Sequence, residues 1–322
     1  MTTDRPHRGG SHRGGLNWSN LNWSVVGAIL AIHLIAILAL VPGLFTWTGL
    51  IIFLVLIWVS GGVGIGLCYH RLLTHRSFRT HKWLEYLTTL CGCLAWQGGP
   101  ITWVGVHRLH HRHADGDHDP HSPQHGFTWS HILWVLHRKI EGVRGEDAAK
   151  DLLRDRVMRW IDRLHWLPQV VVAAALFGAG WAIGDAMLGL SWVVWGVALR
   201  TVVLFHGTWF VNSAAHTWGY QNYPGTGEHS TNLWWVAIWS FGEGWHNNHH
   251  AHPRSARHGL RWFELDPTWW LIRLLSWLGL AWDLHQPAPA QMPGRAGSHA
   301  GSRTEGDLTP ADAGHEDRTG LH

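Results

Sequence analysis

Residues 44–75 read LFTWTGLIIFLVLIWVSGGVGIGLCYHRLLTH, and their reading decides the fold. From Leu44 to Cys68 no residue carries a charge, and immediately afterwards come His70 and His75, five residues apart. At ~1.5 Å per helical residue, such a run exceeds the ~30 Å hydrocarbon core of a bilayer. The sequence therefore predicts a membrane-crossing helix over about 44–68 that delivers histidines to its far end. Upstream, about 24–41 is equally apolar and is joined to it by Pro42-Gly43, giving a helical hairpin. A second hairpin is expected at about 169–183 and 190–211, turning at Gly184–Gly189.

The distribution of positive charge orients these spans. Of the 25 Lys and Arg residues, 24 precede the first span, lie between the hairpins or follow the fourth span, and Arg200 alone lies within a span. Under the positive-inside rule both termini, the centre and the C-terminal region are cytoplasmic. The N-terminus shows no cleavable signal with its parts in order, so the first apolar segment is expected to be retained. Mean hydropathy is only −0.06, so the apolar spans are balanced by a substantial polar portion. Residues 1–20 and 286–322 read as disordered tails around a membrane domain at 21–285.

Other segments are apolar without being long enough to cross. Trp83–Val106 is interrupted by Glu85, Gln97 and Gly98-Gly99-Pro100, and reads as helices dipping into the interface. Ser230–Phe241 and Thr268–Trp282 are Trp-rich and read as surface-lying, which accounts for part of the 25 tryptophans. The three cysteines, Cys68, Cys91 and Cys93, suggest packing residues and neither a disulfide framework nor a zinc pair.

Against three cysteines stand 28 histidines, and eight of them form three clusters: His70 and His75; His107, His110 and His111; His246, His249 and His250. The last two share the spacing HxxHH, which on a helix brings i, i+3 and i+4 to one face and toward a common centre. In HxxxxH the two histidines fall about 140° apart on a regular helix, so the helix is expected to bend or end there, or its histidines to serve different metals. A fourth element, Asn212-Ser-Ala-Ala-His216, places Asn and His at i and i+4. His81, His113, His118, His121, His125 and His131 surround the second cluster and are read as supporting or interfacial. Crowded imidazoles without a metal would leave polar atoms unsatisfied and repel when protonated, so a metal site is expected. The ligand count suits two ions with open positions better than one structural zinc. Ligand type leaves zinc and iron open; iron is the natural occupant if the substrate is an alkyl chain, whose unactivated C–H bonds give acid–base side chains nothing to act on.

At these residues the sequence resembles the membrane acyl desaturases, in particular the delta-9 group that includes the stearoyl-CoA desaturases and bacterial acyl-lipid enzymes. The resemblance covers about Gly61–Trp282 and rests on the three boxes with the phrases around them. These are Cys68-Tyr69-His70-Arg71, Thr74-His75-Arg76-Ser77-Phe78, Trp103 before the second box, Asp117-His118-Asp119-Pro120-His121 after it, Asn212–His216 and Gly242–His250. It implies an all-α integral membrane fold, with four transmembrane helices in two hairpins under a helical cytoplasmic cap that holds a di-iron centre. It further implies two iron ions (Fe2+) held by His70, His75, His107, His110, His111, His216, His246, His249 and His250, with Asn212 reaching one ion through water. Gln97, Trp103, Thr208 and Trp209 match positions that line the acyl tunnel.

The implied activity is O2-dependent insertion of a cis double bond, at delta-9, into a saturated long-chain acyl-CoA or acyl-lipid. No haem motif, Rossmann glycine pattern or iron–sulfur cysteine set is present in the sequence. Electrons are therefore expected from a separate ferredoxin or cytochrome b5-like donor and its reductase, and the basic face of Arg138, Lys139, Arg254, Arg257 and Arg261 suits such an acidic carrier, anionic lipid or a CoA phosphate equally. Membrane lipid is an expected partner and nucleic acid is not. The expected location is a bacterial inner membrane with the site cytoplasmic. Two other readings are a histidine-box hydroxylase or ketolase and, from a different class, a histidine-rich metal transporter.

Overall fold

The computed structural model describes residues 17–138, 145–225 and 228–293. Most of the two expected tails, and Lys139 of the basic face, lie outside these residues. Residues up to Pro287 form one compact unit; Ala288 begins another, whose described part holds a single 3-10 turn at Pro289–Gln291.

Three helices are long and apolar enough to cross a membrane: α1 (Trp23–Leu40), α2 (Trp47–Thr74) and, further along, Ala186–His216. Each begins on a side-chain cap. Asn22 accepts from Val25 N, Thr46 from Gly49 N, and Asp185 from Leu188 N. On α1 and the first half of α2 the apolar residues face outward. Only 11% of the α1 window is buried, and Leu30, Leu34, Ile37 and Leu40 on α1 with Ile51, Leu54 and Val55 on α2 are exposed. A belt of that kind requires lipid or protein to cover it.

The middle of the chain supplies α3 (Lys82–Cys93) and α4 (Pro100–His113), the pair expected from the interrupted apolar stretch, joined by the turn 94–99. Next come α5 (Arg156–Arg163) and α6 (Leu167–Ile183), which meet at a 59° bend. Together they pass the test for a fourth crossing if the bent pair counts as one span. Then follow α7 (Ala186–His216), α8 (Trp234–Trp239), α9 (His246–Ala251) and α10 (Pro267–Trp277). The all-α expectation needs one small correction, an antiparallel ladder pairing Arg79–Thr80 with Ala281–Trp282.

Two helices outrun the expected spans, an extension of the second and fourth helices that the family resemblance implies. The helix begun at Trp47 runs past Cys68 to Thr74, and the one over 190–211 extends from Ala186 to His216, shortening the expected glycine turn. Polar residues continue α2 because its upper part is enclosed by protein: from Ser60 to Thr74 nearly every α2 side chain is buried. Glycines make that burial possible. A Cβ at Gly64 would lie 2.5 Å from Gly92 N, so α2 and α3 meet backbone to backbone. The core around this contact is built from Leu67, Tyr69, Leu72, Ile101, Val104 and Ile272.

Candidate metal centre

The upper part of α2, Trp58–Thr74, is wound as a π-helix, in which the carbonyl of residue i accepts from i+5. The His75 amide continues that pattern onto His70 O at 3.1 Å. Residues five apart thus become neighbours, and the two rings lie 4.9 Å apart. The 140° divergence of a regular α-helix does not arise, so His70 and His75 fall in one group of closely set nitrogens.

The two HxxHH boxes behave differently from a shared-centre expectation. Successive residues of an α-helix rotate by about 100°, so the neighbours at i+3 and i+4 point in different directions. On α4, His107 and His111 join His70, His75 and His249 in one group, while His110 joins His216, His246 and His250 in another. On α9 the exchange is reciprocal: His246 and His250 belong to the second group and His249 to the first. All nine histidines named from the sequence are thereby gathered into groups of five and four, within each of which the ligating atoms lie within 4.8 Å of one another. The groups adjoin, with the rings of His111 and His250 stacked at 4.5 Å.

Inward atoms are the Nε2 nitrogens. In the first group His249 Nε2 lies 2.8 Å from His111 Nε2 and 3.1 Å from His70 Nε2, and His107 and His111 are 3.1 Å apart. In the second the separations are 3.0 Å for His216–His246, 3.0 Å for His246–His250 and 3.2 Å for His110–His250. Nitrogens about 2.1 Å from one ion and at right angles around it would be about 3 Å apart, which is the spacing seen. His75 Nε2 is buried without a hydrogen-bond partner. Facing lone pairs of this kind suit a cation between them.

Outer nitrogens explain why Nε2 is left bare. His110 Nδ1 donates to Asp119 at 2.8 Å, and His216 Nδ1 lies 2.9 Å from Asp115. His250 Nδ1 pairs with Glu228 and His70 Nδ1 with Glu243. Glu243 is in turn held at 3.0 Å by Arg71, which also clamps Asp266. A carboxylate on Nδ1 keeps the proton there and the Nε2 lone pair inward. Burial, reinforced by neighbouring imidazoles, pushes His107, His111, His246 and His249 well below the ordinary histidine range, and His250 down to about 4. Neutral imidazoles are the state a metal ligand needs. Burial alone would raise Asp115, but His216 brings it down to about 2.

These four carboxylates and Arg71 are the part that sequence spacing missed. Asp119 and Glu243 stood inside the quoted phrases, yet nothing in their spacing assigned them to particular histidines. Among the supporting histidines, His121 is buried with its ring 4.3 Å from His110, whereas His81 lies away from the clusters against Trp282. His131 instead hydrogen-bonds Ser213 and His206. Asn212 is partly buried, one turn before His216.

Three of the four tunnel positions come together. Trp103 Nε1 donates to Gln97 Oε1 at 3.2 Å, and Gln97 Nε2 donates to Thr208 Oγ1 at 2.8 Å. Trp103 also stacks on His107 at 5.1 Å, linking this chain to the first histidine group. Trp209 makes no bond to that chain and is buried instead among Ile32, Ala36, Ala198 and Phe205.

Comparison with known proteins gives the family. The fatty acid desaturase family model matches residues 45–277. An sn-1 stearoyl-lipid 9-desaturase of Anabaena variabilis is 48% identical over 252 residues, 78% of this chain and 89% of that protein. An sn-2 palmitoyl-lipid 9-desaturase of Nostoc sp. (strain 36) is 48% identical over 253 residues, 77% of this chain and 85% of that protein. A palmitoyl-monogalactosyldiacylglycerol delta-7 desaturase of Arabidopsis thaliana is 44% identical over 268 residues, covering 83% and 69%. With the match spanning α2, the second apolar hairpin and every histidine box, this chain belongs to the fatty acid desaturase family.

Proposed function

We propose that this desaturase uses O2 to place a cis double bond at delta-9 of a saturated C16–C18 acyl chain carried on a glycerolipid, at two irons held by the nine histidines. The observation that carries the reading is the division of those histidines into adjoining groups of five and four with Nε2 inward. The lipid carrier and bond position follow the names of the relatives from Anabaena and Nostoc. Asn212 is assigned to the second ion through water, supported by its place one helical turn before His216.

Iron bound there supplies the redox chemistry that unactivated C–H bonds demand, drawing on electrons from outside the chain. The balance is –CH2–CH2– + O2 + 2 electrons + 2 protons giving –CH=CH– + 2 H2O. The protein's own residues position and exclude. Carboxylates on Nδ1 hold each ring in one tautomer. Trp103, Gln97 and Thr208 satisfy one another's polar atoms, so they present a fixed, dry wall beside His107 to the acyl chain. Trp209 is proposed to line the path farther from that wall.

Four crossings are proposed, α5 and α6 together forming the third, with both termini and the site on the cytoplasmic face of a bacterial inner membrane; the charge distribution supports this orientation. A ferredoxin or cytochrome b5-like carrier, kept reduced by its own reductase, would dock on a basic concavity of ~650 Å³ lined by Arg76, Arg79, Arg254 and His285. Arg76 follows His75 directly in the chain, which brings this surface close to the first group. Of the basic residues expected from sequence, Arg254 lies on this concavity, whereas Arg257 and Arg261 bond backbone and Asn222 nearby. Expression in a desaturase-deficient host, with fatty-acid analysis locating the double bond, tests the function. A product heavier by an oxygen atom would mark a hydroxylase, and an unchanged fatty-acid profile would remove the assignment.

A further inference from the structure

Arg200 lies inside α7, within the span, and is fully buried. Among the described residues no carboxylate pairs with it. Its guanidinium is spent on neutral acceptors from three elements: Nε donates to Gly196 O at 3.0 Å, Nη2 to Gln169 Oε1 of α6 at 2.6 Å, and Nη1 to Leu94 O. Gln169 is itself fixed by donating to Thr201 at 3.0 Å. A charge in a membrane helix is costly and marks function more often than packing.

Leu94 opens the turn 94–99, and that turn carries Gln97. Its backbone is not self-determining: Trp96 sits at φ 58 and Gly98 at φ 100, both left-handed. Such a turn persists only where its surroundings hold it. Its far end is held by Asp162, whose Oδ1 accepts from Ile101 N at 2.9 Å and Thr102 N at 3.4 Å. Its near end is held by Arg200 at Leu94. Between these two anchors, Gln97 bridges Trp103 and Thr208.

We infer that Arg200 is a positioning residue that sets which carbon–carbon bond is oxidised, by anchoring through Leu94 the turn that aims Gln97 at the acyl path. The inference rests on the reading that Gln97 lines that path. Releasing Leu94 lets Gln97 and Trp103 drift relative to His107, and a methylene of a different number then sits at the reaction position. Misplacement of about 1 Å is enough to change relative rates strongly.

The test compares Arg200→Met, Arg200→Lys and Gln97→Leu with the parent protein, reading double-bond position by mass spectrometry of derivatised fatty acids and iron per polypeptide in parallel. Gln97→Leu tests the underlying reading. Arg200→Met is expected to keep its iron while a second positional isomer rises about tenfold in share. Arg200→Lys, which retains charge but cannot reach all three acceptors, is expected to give a smaller rise in the same isomer. If Arg200→Met is absent from membranes, Arg200→Lys decides alone. A shifted isomer pattern in Gln97→Leu with an unchanged pattern in the Arg200 variants overturns the inference and leaves the tunnel reading standing. Unchanged patterns in all variants overturn both.

Discussion

His110 Nδ1 sits 2.8 Å from Asp119 Oδ2, and both side chains are almost completely buried. Asp119 is otherwise saturated by the amides of Asp115 and His121, each at 3.1 Å. Its carboxylate is therefore a fixed acceptor that orients one imidazole of the four-histidine group. Asp119→Asn can present its amide to Nδ1 and invert the tautomer, turning an N–H toward the ion. Metal affinity at that group is expected to fall about 10–100-fold. Iron retained against a graded chelator series, measured per polypeptide, checks this; retention equal to that of the parent protein would contradict the tautomer argument.

The same buried imidazoles make the centre sensitive to acid. Burial and the neighbouring imidazoles hold His107, His111, His246 and His249 well below the ordinary histidine range in the folded protein. The unfolded chain therefore binds protons first as pH falls. Above about 6.5 both states are neutral at these positions and no stability is lost. Below it the unfolded state gains protons that the folded state cannot take, so stability and metal occupancy decline together as pH drops through 6 toward the depressed values. Iron content and melting temperature of the detergent-solubilised protein should both fall between about pH 6.5 and 5. Flat profiles over that window would show that ligand protonation does not limit the fold.

How much of this was legible in the sequence follows from what depends on spacing alone. The apolar runs and the eight clustered histidines did, because span length and box spacing are local, while His216 entered the set through the family resemblance. The partition of each HxxHH between two groups was legible in principle, since His110 and His111 point about 100° apart on a helix. His70 and His75 were not, because only the π winding of Trp58–Thr74 makes them neighbours. Winding of that kind is invisible to a rule built for 3.6 residues per turn. Glu243 and Glu228 were hidden for another reason: their partnership with His70 and His250 is tertiary. The bend between α5 and α6 escaped notice because the charged residues of Arg156–Arg163 ended the apolar reading early.

The contact beneath the first histidine group gives a stability prediction. Gly92 packs so closely against Tyr69 that a Cβ there would overlap the phenol ring, and Tyr69 precedes His70. Gly92→Ala must push α3 away from α2 or displace the ring. Overpacking of this kind costs about 1–3 kcal/mol. A lower melting temperature is expected together with reduced iron loading, since Tyr69 and His70 share a backbone. Gly27→Ala, where nothing lies within 4 Å of the new Cβ, serves as the control and should leave both unchanged.

Electron delivery gives the last prediction. Arg79 and Arg254 stand on the basic concavity. Arg79 pairs with Asp283 at 3.3 Å and Arg254 with His285 at 3.0 Å, yet both guanidinium groups stay exposed to an approaching carrier. An acidic carrier approaching this surface is steered by fields that salt screens over about 10 Å at 0.1 M. Arg79→Glu with Arg254→Glu should raise the KM for the carrier about tenfold and flatten its dependence on ionic strength. Because neither residue touches the histidine groups, a single turnover of the chemically reduced protein should be unchanged. A loss of single-turnover activity would mean the substitutions damage the centre. An unchanged KM with an intact salt dependence would place the carrier on a different surface, of which the mixed-charge depression around Arg112, Asp117 and His118 is the next to test.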